Sequence, residues 1–348
     1  MNDLKPLSRE GLPNYIISIL QQIGNHGFRA FIVGGAIRDR MLGAWPCEFD
    51  LASNARPDDI IRLFNRTTQT GVAYGTVTIH MDGHAVEITS FRNESRYTNH
   101  RHPQTIEFVD CIDDDLKRRD FTMNAMAYCP FSQQLIDLYD GQTHLKLKKI
   151  VCVGDPAKRF YEDTLRPFRA FRFMSQYGFS MSDSVCRALK ENAMLPRPSM
   201  PRIRYELSRL LRGDHWVMAL NYMHAMGWLH PWVPVSETLT FPSTMPRVEN
   251  ARWAGLLSHG DFEENMAYFQ FSKHDCKEMR AYIDWAFDHD AVQFQITDLA
   301  ISSKKLQSMG FLGKDLGAIQ RRLVMAIRKK NVMNQSDALI KWVLDQQS

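Results

Sequence analysis

The stretch Phe31–Ala55, FIVGGAIRDRMLGAWPCEFDLASNA, decides the fold. Phe31-Ile32-Val33 is an apolar run that suits a buried strand. Gly34-Gly35 opens a tight turn where backbone N–H groups can approach a ligand closely. A short helical pattern follows, with Arg38 and Arg40 near its start and Gly43 and Pro46 marking its end. A second strand is expected to carry Glu48-Phe49-Asp50. Residues i and i+2 of a strand share a face, so the two carboxylates point the same way. They repel each other, and a cation between them relieves the repulsion. A Mg²⁺ shared with substrate phosphates fits that geometry, with Gly34, Gly35 and Arg38 as the phosphate cradle. Alone, a Gly-Gly turn only turns, and an acidic-x-acidic strand is a solvated face. The whole series in one short stretch points to nucleotidyl transfer.

Bulk properties set the frame. A chain of 348 residues can hold two to four modules and a sizeable core. Its 44% apolar and 24% charged residues suit an ordinary soluble globular protein. A net charge of +4 permits a nucleic-acid partner without demanding one. Apolar runs fall far short of a membrane span, so no membrane partner is expected, and the first residues lack a signal-peptide apolar core. Six dispersed cysteines without a CxxC pair suit a reduced, cytoplasmic setting without zinc or disulfides.

Outward from the opening stretch, residues 11–27 read as a helix with Tyr15, Ile16, Ile19 and Leu20 on one face. Pro57-Asp58-Asp59 starts another. Two alternating runs, 75–81 and 85–92, flank Asp82-Gly83 and make a hairpin. Glu87, facing opposite to Val86 and Ile88, is a candidate third carboxylate, or else a solvated strand glutamate. Residues 93–103, NESRYTNHRHP, are polar and aperiodic and read as a loop. Arg118-Arg119-Asp120 clusters both charge signs, and an arginine fork suits a triphosphate or ribose. Between residues 130 and 150 the pattern changes from an α/β head to a helical remainder.

Glu162-Asp163-Thr164-Leu165-Arg166 is expected to open a long helix reaching about residue 176. Asp163 and Arg166, three apart, would be neighbours on one face. Cytosine and adenine each offer an exocyclic amine beside a ring-nitrogen acceptor. A carboxylate takes the amine while a guanidinium donates to the nitrogen. Uracil and guanine reverse both contacts, and each polar group left unpaired costs about 1–3 kcal/mol. The alternative is a surface ion pair worth a few tenths of a kcal/mol. Arg169 and Arg172 continue the threefold spacing. Such steps drift, so Arg172 lies about half a turn from Asp163 and needs its length or a bend to reach the same ligand. Pro201, in Ser199–Leu207, fits a helix first turn, with Arg202 and Glu206 read as structural. Trp253–Asp261 lacks the partners of a histidine-aspartate hydrolase and reads as a core helix end. Leu316, Ile319, Leu323 and Ile327 form one stripe of a helix over 313–330, whose arginines and lysines suit RNA phosphates or a solvated face.

GGAIRDRMLG and EFDLASNARPDDI, with RRDFTMNA, EDTLR and SMPRIRYEL downstream, closely resemble the class II tRNA nucleotidyltransferases. That family comprises bacterial and eukaryotic CCA-adding enzymes and bacterial poly(A) polymerases. The resemblance covers nearly the whole chain, with Glu48 standing where the family has Asp, Asn99 for another Asp, and Pro201 for Glu. It implies an α+β fold: a nucleotidyltransferase head with a mixed sheet (1–140), then an all-helical neck (141–212), body (213–290) and tail (291–348). It implies addition of CMP and AMP from CTP and ATP to the tRNA 3′ end, with Mg²⁺. Glu48, Asp50 and Glu87 would be catalytic, the first two holding metal. Gly34, Gly35, Arg38, Arg119, Asp163, Arg166, Arg169 and Arg172 would bind nucleotide. The 93–103 segment would take part in moving from C to A addition, and the tail would touch the tRNA elbow. Rival expectations are a C-adding or A-adding partial enzyme, a poly(A) polymerase, or a noncatalytic RNA-binding relative.

Overall fold

A computed structural model describes residues 4–98, 102–193, 195–230, 232–234, 239–241, 245–288, 296, 299–328 and 332–345. The chain divides into two compact units, Met1–Tyr222 and Met223–Ser348.

The first unit begins with α1 (Asn14–Asn25), β1 (Ala30–Val33), α2 (Gly35–Met41), β2 (Asp50–Ser53), α3 (Pro57–Leu63), β3 (Thr67–Gly71), β4 (Thr76–Met81) and β5 (His84–Ser90). It continues with β6 (Arg92–Thr98), β7 (His102–Phe108), α4 (Ile112–Lys117), β8 (Met126–Cys129), β9 (Gln134–Asp137), α5 (Gly141–Lys146) and β10 (Lys149–Ile150). Then come α6 (Pro156–Glu162), α7 (Arg166–Tyr177), β11 (Ser180–Met181), α8 (Asp183–Glu191), α9 (Met200–Arg212) and α10 (Trp216–Ala225), whose last three residues belong to the second unit. The fold is α+β: a mixed sheet with helices, followed by helices. Seven strands form the sheet in the order β3-β4-β5-β2-β1-β8-β9. β1 lies antiparallel between β2 and β8, and β2 runs parallel to β5. Phe31, Val33, Ala52, Phe91 and Leu116 form its core against α4. Burying each such large side chain is worth about 1.5–3 kcal/mol. α1 buries Ile16, Ile19, Leu20 and Ile23, and Tyr15 stacks on His84 at 4.1 Å. The β4–β5 hairpin turns on Asp82 (φ 51°) and Gly83 (φ 79°), the paired positive values that a tight two-residue turn requires.

Three expectations are corrected. Glu48 precedes β2 rather than lying in it. The Val33–Asp50 pair is the last of the β1–β2 ladder, because Gly34 (φ 71°) turns the next residue away. The segment read as a loop at 93–103 belongs largely to an antiparallel ribbon, β6 with β7, from Arg92–Phe108 to Thr98–His102. Its backbone ladder needs no apolar alternation, so the composition concealed it. Asn99 and Arg101 lie outside the described residues. Third, no continuous helix carries Asp163 and Arg166. α6 stops at Glu162, Asp163 is extended (φ −137°, ψ 106°), and α7 starts at Arg166. Pro167 is the cause: within a helix its ring would strike the carbonyl four residues back, that of Asp163. That carbonyl instead accepts the Arg166 amide at 3.0 Å.

The second unit contains α11 (Glu249–Leu257), α12 (Phe262–Tyr268), α13 (Lys273–Asp288), α14 (Ser303–Ser308), α15 (Gly313–Arg328) and α16 (Ser336–Asp345). Trp253 is fully buried against Phe269 and Phe271. His259 donates through Nδ1 to the Gly255 carbonyl, and its Nε2 accepts the Thr240 amide, so it is a satisfied core histidine. Ile319 and Leu323 of α15 pack with Leu306, Leu339 and Val343. Lys329 and Lys330 lie outside the described residues.

Candidate active site

Every residue expected to be catalytic or to bind nucleotide lines one open cleft of about 640 Å³ in the first unit: Gly34, Gly35, Arg38, Glu48, Asp50, Glu87, Arg119, Asp163, Arg166, Arg169 and Arg172. Its size suits a nucleotide.

The floor is the turn after β1. At Gly34 (φ 71°) a side chain would be strained, and its Cβ would come 3.1 Å from Arg119 Nη1. Gly34→Ala is expected to cost about 1–3 kcal/mol, because φ 71° with ψ −132° is a backbone conformation close to the region reserved for glycine, and to displace Arg119. A thermal melt with a CTP titration checks both. Arg38, on α2, is 7% exposed. Its Nε donates to Asp39 at 2.9 Å and its Nη1 to Asn124 Oδ1 at 2.5 Å.

The carboxylates stand on the sheet edge. Leu51 pairs with Ile88 in parallel register, which sets Asp50 abreast of Glu87. Glu48 and Glu87 are exposed while Asp50 is half-buried. Burial, then Glu48, then Glu87 push the Asp50 pKa up to about 6, against the pull of Arg119 and Arg169. Among the described residues no three acidic, histidine or cysteine side chains are grouped to hold a metal by themselves. Mg²⁺ is usually held by one or two carboxylates together with substrate phosphates. Hard oxygen donors whose mutual repulsion a cation would relieve fit that ion.

Arg119 is held by Asp115 (3.0 Å), which also binds Arg118 (2.8 Å). Asp115 is fully buried; burial favours its neutral form, but the two arginines outweigh this and hold its pKa down. Asp120 is likewise opposed by burial, yet Arg169 and Arg166, with bonds from the Phe121 amide and Asn124, hold it at about 2. Arg169 Nε donates to Asp120 at 2.6 Å, and Asn124 Nδ2 donates to its other oxygen at 3.2 Å. Glu206 lies 4.0 Å from Arg169 and 2.6 Å from Arg172 Nε. Burial, then Arg169, push Arg172 down to about 10 against Glu206. One connected series therefore runs Arg38–Asn124–Asp120–Arg169–Glu206–Arg172.

Asp163 and Arg166 meet the cleft without pairing through their side chains. The Asp163 carboxylate accepts Arg202 Nη2 at 3.1 Å and the Leu165 amide at 3.1 Å. Arg166 is 7% exposed. Its Nη1 donates to Glu162 and the Arg159 carbonyl, and its Nη2 to the Arg118 carbonyl. That leaves Nε–H and one Nη2–H for another acceptor.

The model of the "Poly A polymerase head domain" matches residues 30–151, from β1 through β10. A second, "Probable RNA and SrmB- binding site of polymerase A", matches residues 178–239. The chain belongs to the family of poly(A) polymerases and class II CCA-adding enzymes. A CCA-adding enzyme of Lactococcus lactis subsp. cremoris is 41% identical over 221 residues, 62% of this chain and 55% of that protein. One from Geobacillus thermodenitrificans is 37% identical over 253 residues, 70% of this chain and 62% of the relative. The chain thus spans little more than half the length of the first of these relatives. The crystal structure of the Bacillus stearothermophilus CCA-adding enzyme in complex with CTP superposes with a TM-score of 0.66. That match covers 96% of this chain and 97% of the other at 24% identity, a likeness of fold.

In this family member Asp115 and Arg202, and the pairing of Asp120 with Arg169, add to the expected site. Asp115 was detectable, standing three and four residues before Arg118 and Arg119 on α4. Arg202, taken as only structural, lines the cleft and holds Asp163. Asp120 and Arg169 are 49 residues apart, and no local pattern announces their pairing.

Proposed function

We propose that the protein adds CMP and AMP from CTP and ATP to the 3′ end of tRNA, without a nucleic-acid template, building or repairing the CCA terminus in the cytoplasm. The carrying observation is one cleft that holds a carboxylate pair, a buried arginine at the glycine turn and a carboxylate near an arginine of opposite hydrogen-bonding sense. Relatives named CCA-adding enzymes support it. The same reading divides the chain into head (1–140), neck (141–212), body (213–290) and tail (291–348).

In the reaction the tRNA 3′-oxygen forms a bond to the α-phosphorus as its proton is lost to solvent, the bond from that phosphorus to the bridging oxygen breaks, and pyrophosphate leaves. Glu48 and Asp50 would hold Mg²⁺, which when bound supplies Lewis-acid stabilisation of the phosphate charge and a more acidic hydroxyl. Glu87, abreast of Asp50, adds negative charge that keeps the site cation-hungry. Gly34, Gly35 and Arg38 hold the triphosphate, with Arg119, Arg169 and Arg172 supplying positive charge around it. Asp163 accepts the exocyclic amine of C or A, and Arg166 donates to the adjacent ring nitrogen. To do so, Asp163 gives up or shares its bond to Arg202.

Glu48, one methylene longer than the family's Asp, favours a second reading, an RNA-binding relative without transfer. Three tRNAs, ending at the discriminator base, at C and at CC, test both readings with labelled CTP and ATP given separately and together. Extension to CCA and no further is expected. Stops at CC, addition of A alone, or long A tails would assign the partial enzymes or the polymerase. No transfer with Mg²⁺ or Mn²⁺ would leave the RNA binder.

A further inference from the structure

Tyr177 ends α7, the helix that Arg166 begins. Its hydroxyl donates to Asp39 Oδ1 at 2.8 Å. The same oxygen accepts Arg38 Nε at 2.9 Å. Asp39 thus stands as a shared acceptor between two elements far apart in sequence. The Tyr177 ring also lies 4.9 Å from the Arg38 guanidinium, and Phe173, one turn earlier, lies 5.2 Å from it. The two rings stack, 26° from parallel. Such ring faces attract a guanidinium. Arg38 is therefore held against two rings of α7, on Nε by Asp39 and on Nη1 by Asn124. Its remaining nitrogen, Nη2, is turned to the glycine turn, 3.1 Å from where a Gly35 Cβ would stand. Burial pushes the Tyr177 phenol up to about 12, so the hydroxyl remains a proton donor across the neutral range.

We propose that Tyr177 is a positioning residue for triphosphate binding: through Asp39 it sets the direction of the Arg38 guanidinium and ties the helix that Arg166 begins to the phosphate end of the cleft. This rests on the reading of Arg38 as the triphosphate ligand, and it adds a residue that touches no substrate. Two properties of tyrosine are used, a ring against Arg38 and a hydroxyl on Asp39. Phenylalanine keeps the first and removes the second, so Tyr177→Phe isolates the hydroxyl without emptying the core.

The full-length chain is titrated calorimetrically with inorganic tripolyphosphate, CTP and ATP, alongside steady-state nucleotide addition. Tyr177→Phe is expected to weaken all three ligands alike, about five- to tenfold, the scale of one ordinary intramolecular hydrogen bond. KM rises by a similar factor, kcat changes by less than about twofold, and discrimination against UTP and GTP is unchanged. In an Asp39→Ala background the further change Tyr177→Phe is expected to cost less than about twofold, because its partner is already gone. Wild-type affinity for tripolyphosphate in Tyr177→Phe would overturn the proposal. So would effects that multiply fully in the double variant, or a loss confined to kcat. A wild-type chain that binds none of the three ligands would overturn the triphosphate reading of Arg38, and the proposal with it.

Discussion

Asp50→Asn is expected to lower nucleotide addition by about a thousandfold or more, since metal-assisted stabilisation of a phosphoryl transition state is worth several kcal/mol. The same variant is expected to be more stable than wild type when both are metal-free at neutral pH. The sign follows from Asp50, whose pKa is raised from 3.8 to about 6 by burial and by Glu48 and Glu87. The folded state therefore binds a proton more tightly than the unfolded state. Wild-type stability falls as pH climbs between about 4 and 6, and stays lower above that. Asparagine never charges and escapes the penalty, a gain of about 3 kcal/mol at pH 7.5 that disappears below about pH 4. Mg²⁺ should raise the wild-type melting temperature and leave the variant nearly unmoved. Melting curves from pH 4 to 8, with and without Mg²⁺, make the comparison. Equal stabilities at pH 7.5 would show that neither burial nor the neighbouring carboxylates penalise the charged form of Asp50 in the folded state. Retained turnover would remove Asp50 from the chemistry.

The second large effect is on selectivity. Asp163→Ala is expected to reduce discrimination of CTP and ATP against UTP and GTP by about 10- to 100-fold, the cost of one misplaced polar contact. It is a cleaner substitution than Arg166→Ala. Asp163 is held by Arg202 and one amide at the edge of the cleft, whereas Arg166 is buried and holds Glu162 and two carbonyls. Removing Arg166 would strip partners from those acceptors and blur a specificity effect with a folding one. Competition between paired nucleotides at equal concentration measures the ratio. An unchanged ratio would exclude Asp163 from base recognition.

Much of the head was legible because its signals are local. Asp82-Gly83 between alternating runs announces a hairpin within a few residues, and the Gly34 turn follows directly from an apolar strand. Where two signals competed, the weaker-looking one won. Glu162–Arg166 has good helical composition, but Pro167 acts four residues back and breaks the helix at Asp163. The β6–β7 ribbon is stabilised by backbone pairing, which a polar sequence neither advertises nor forbids. In the cleft, the residue types were readable and their partners were not. Arg38 meets Asn124 across 86 residues, and Arg169 meets Asp120 across 49. Such pairings exist only once the sheet and α7 have docked.

The series from Arg38 to Arg172 bears on how this site can change. Asn124, Asp120 and Glu206 each serve two neighbours, so losing any one strips a partner from both sides. Single replacements along it should each be severe, and double replacements of adjacent members scarcely worse than either alone. A lineage drifting at these positions would meet a barrier at every first step and little resistance at the second. Diversity there should appear as whole substituted sets, exchanged together.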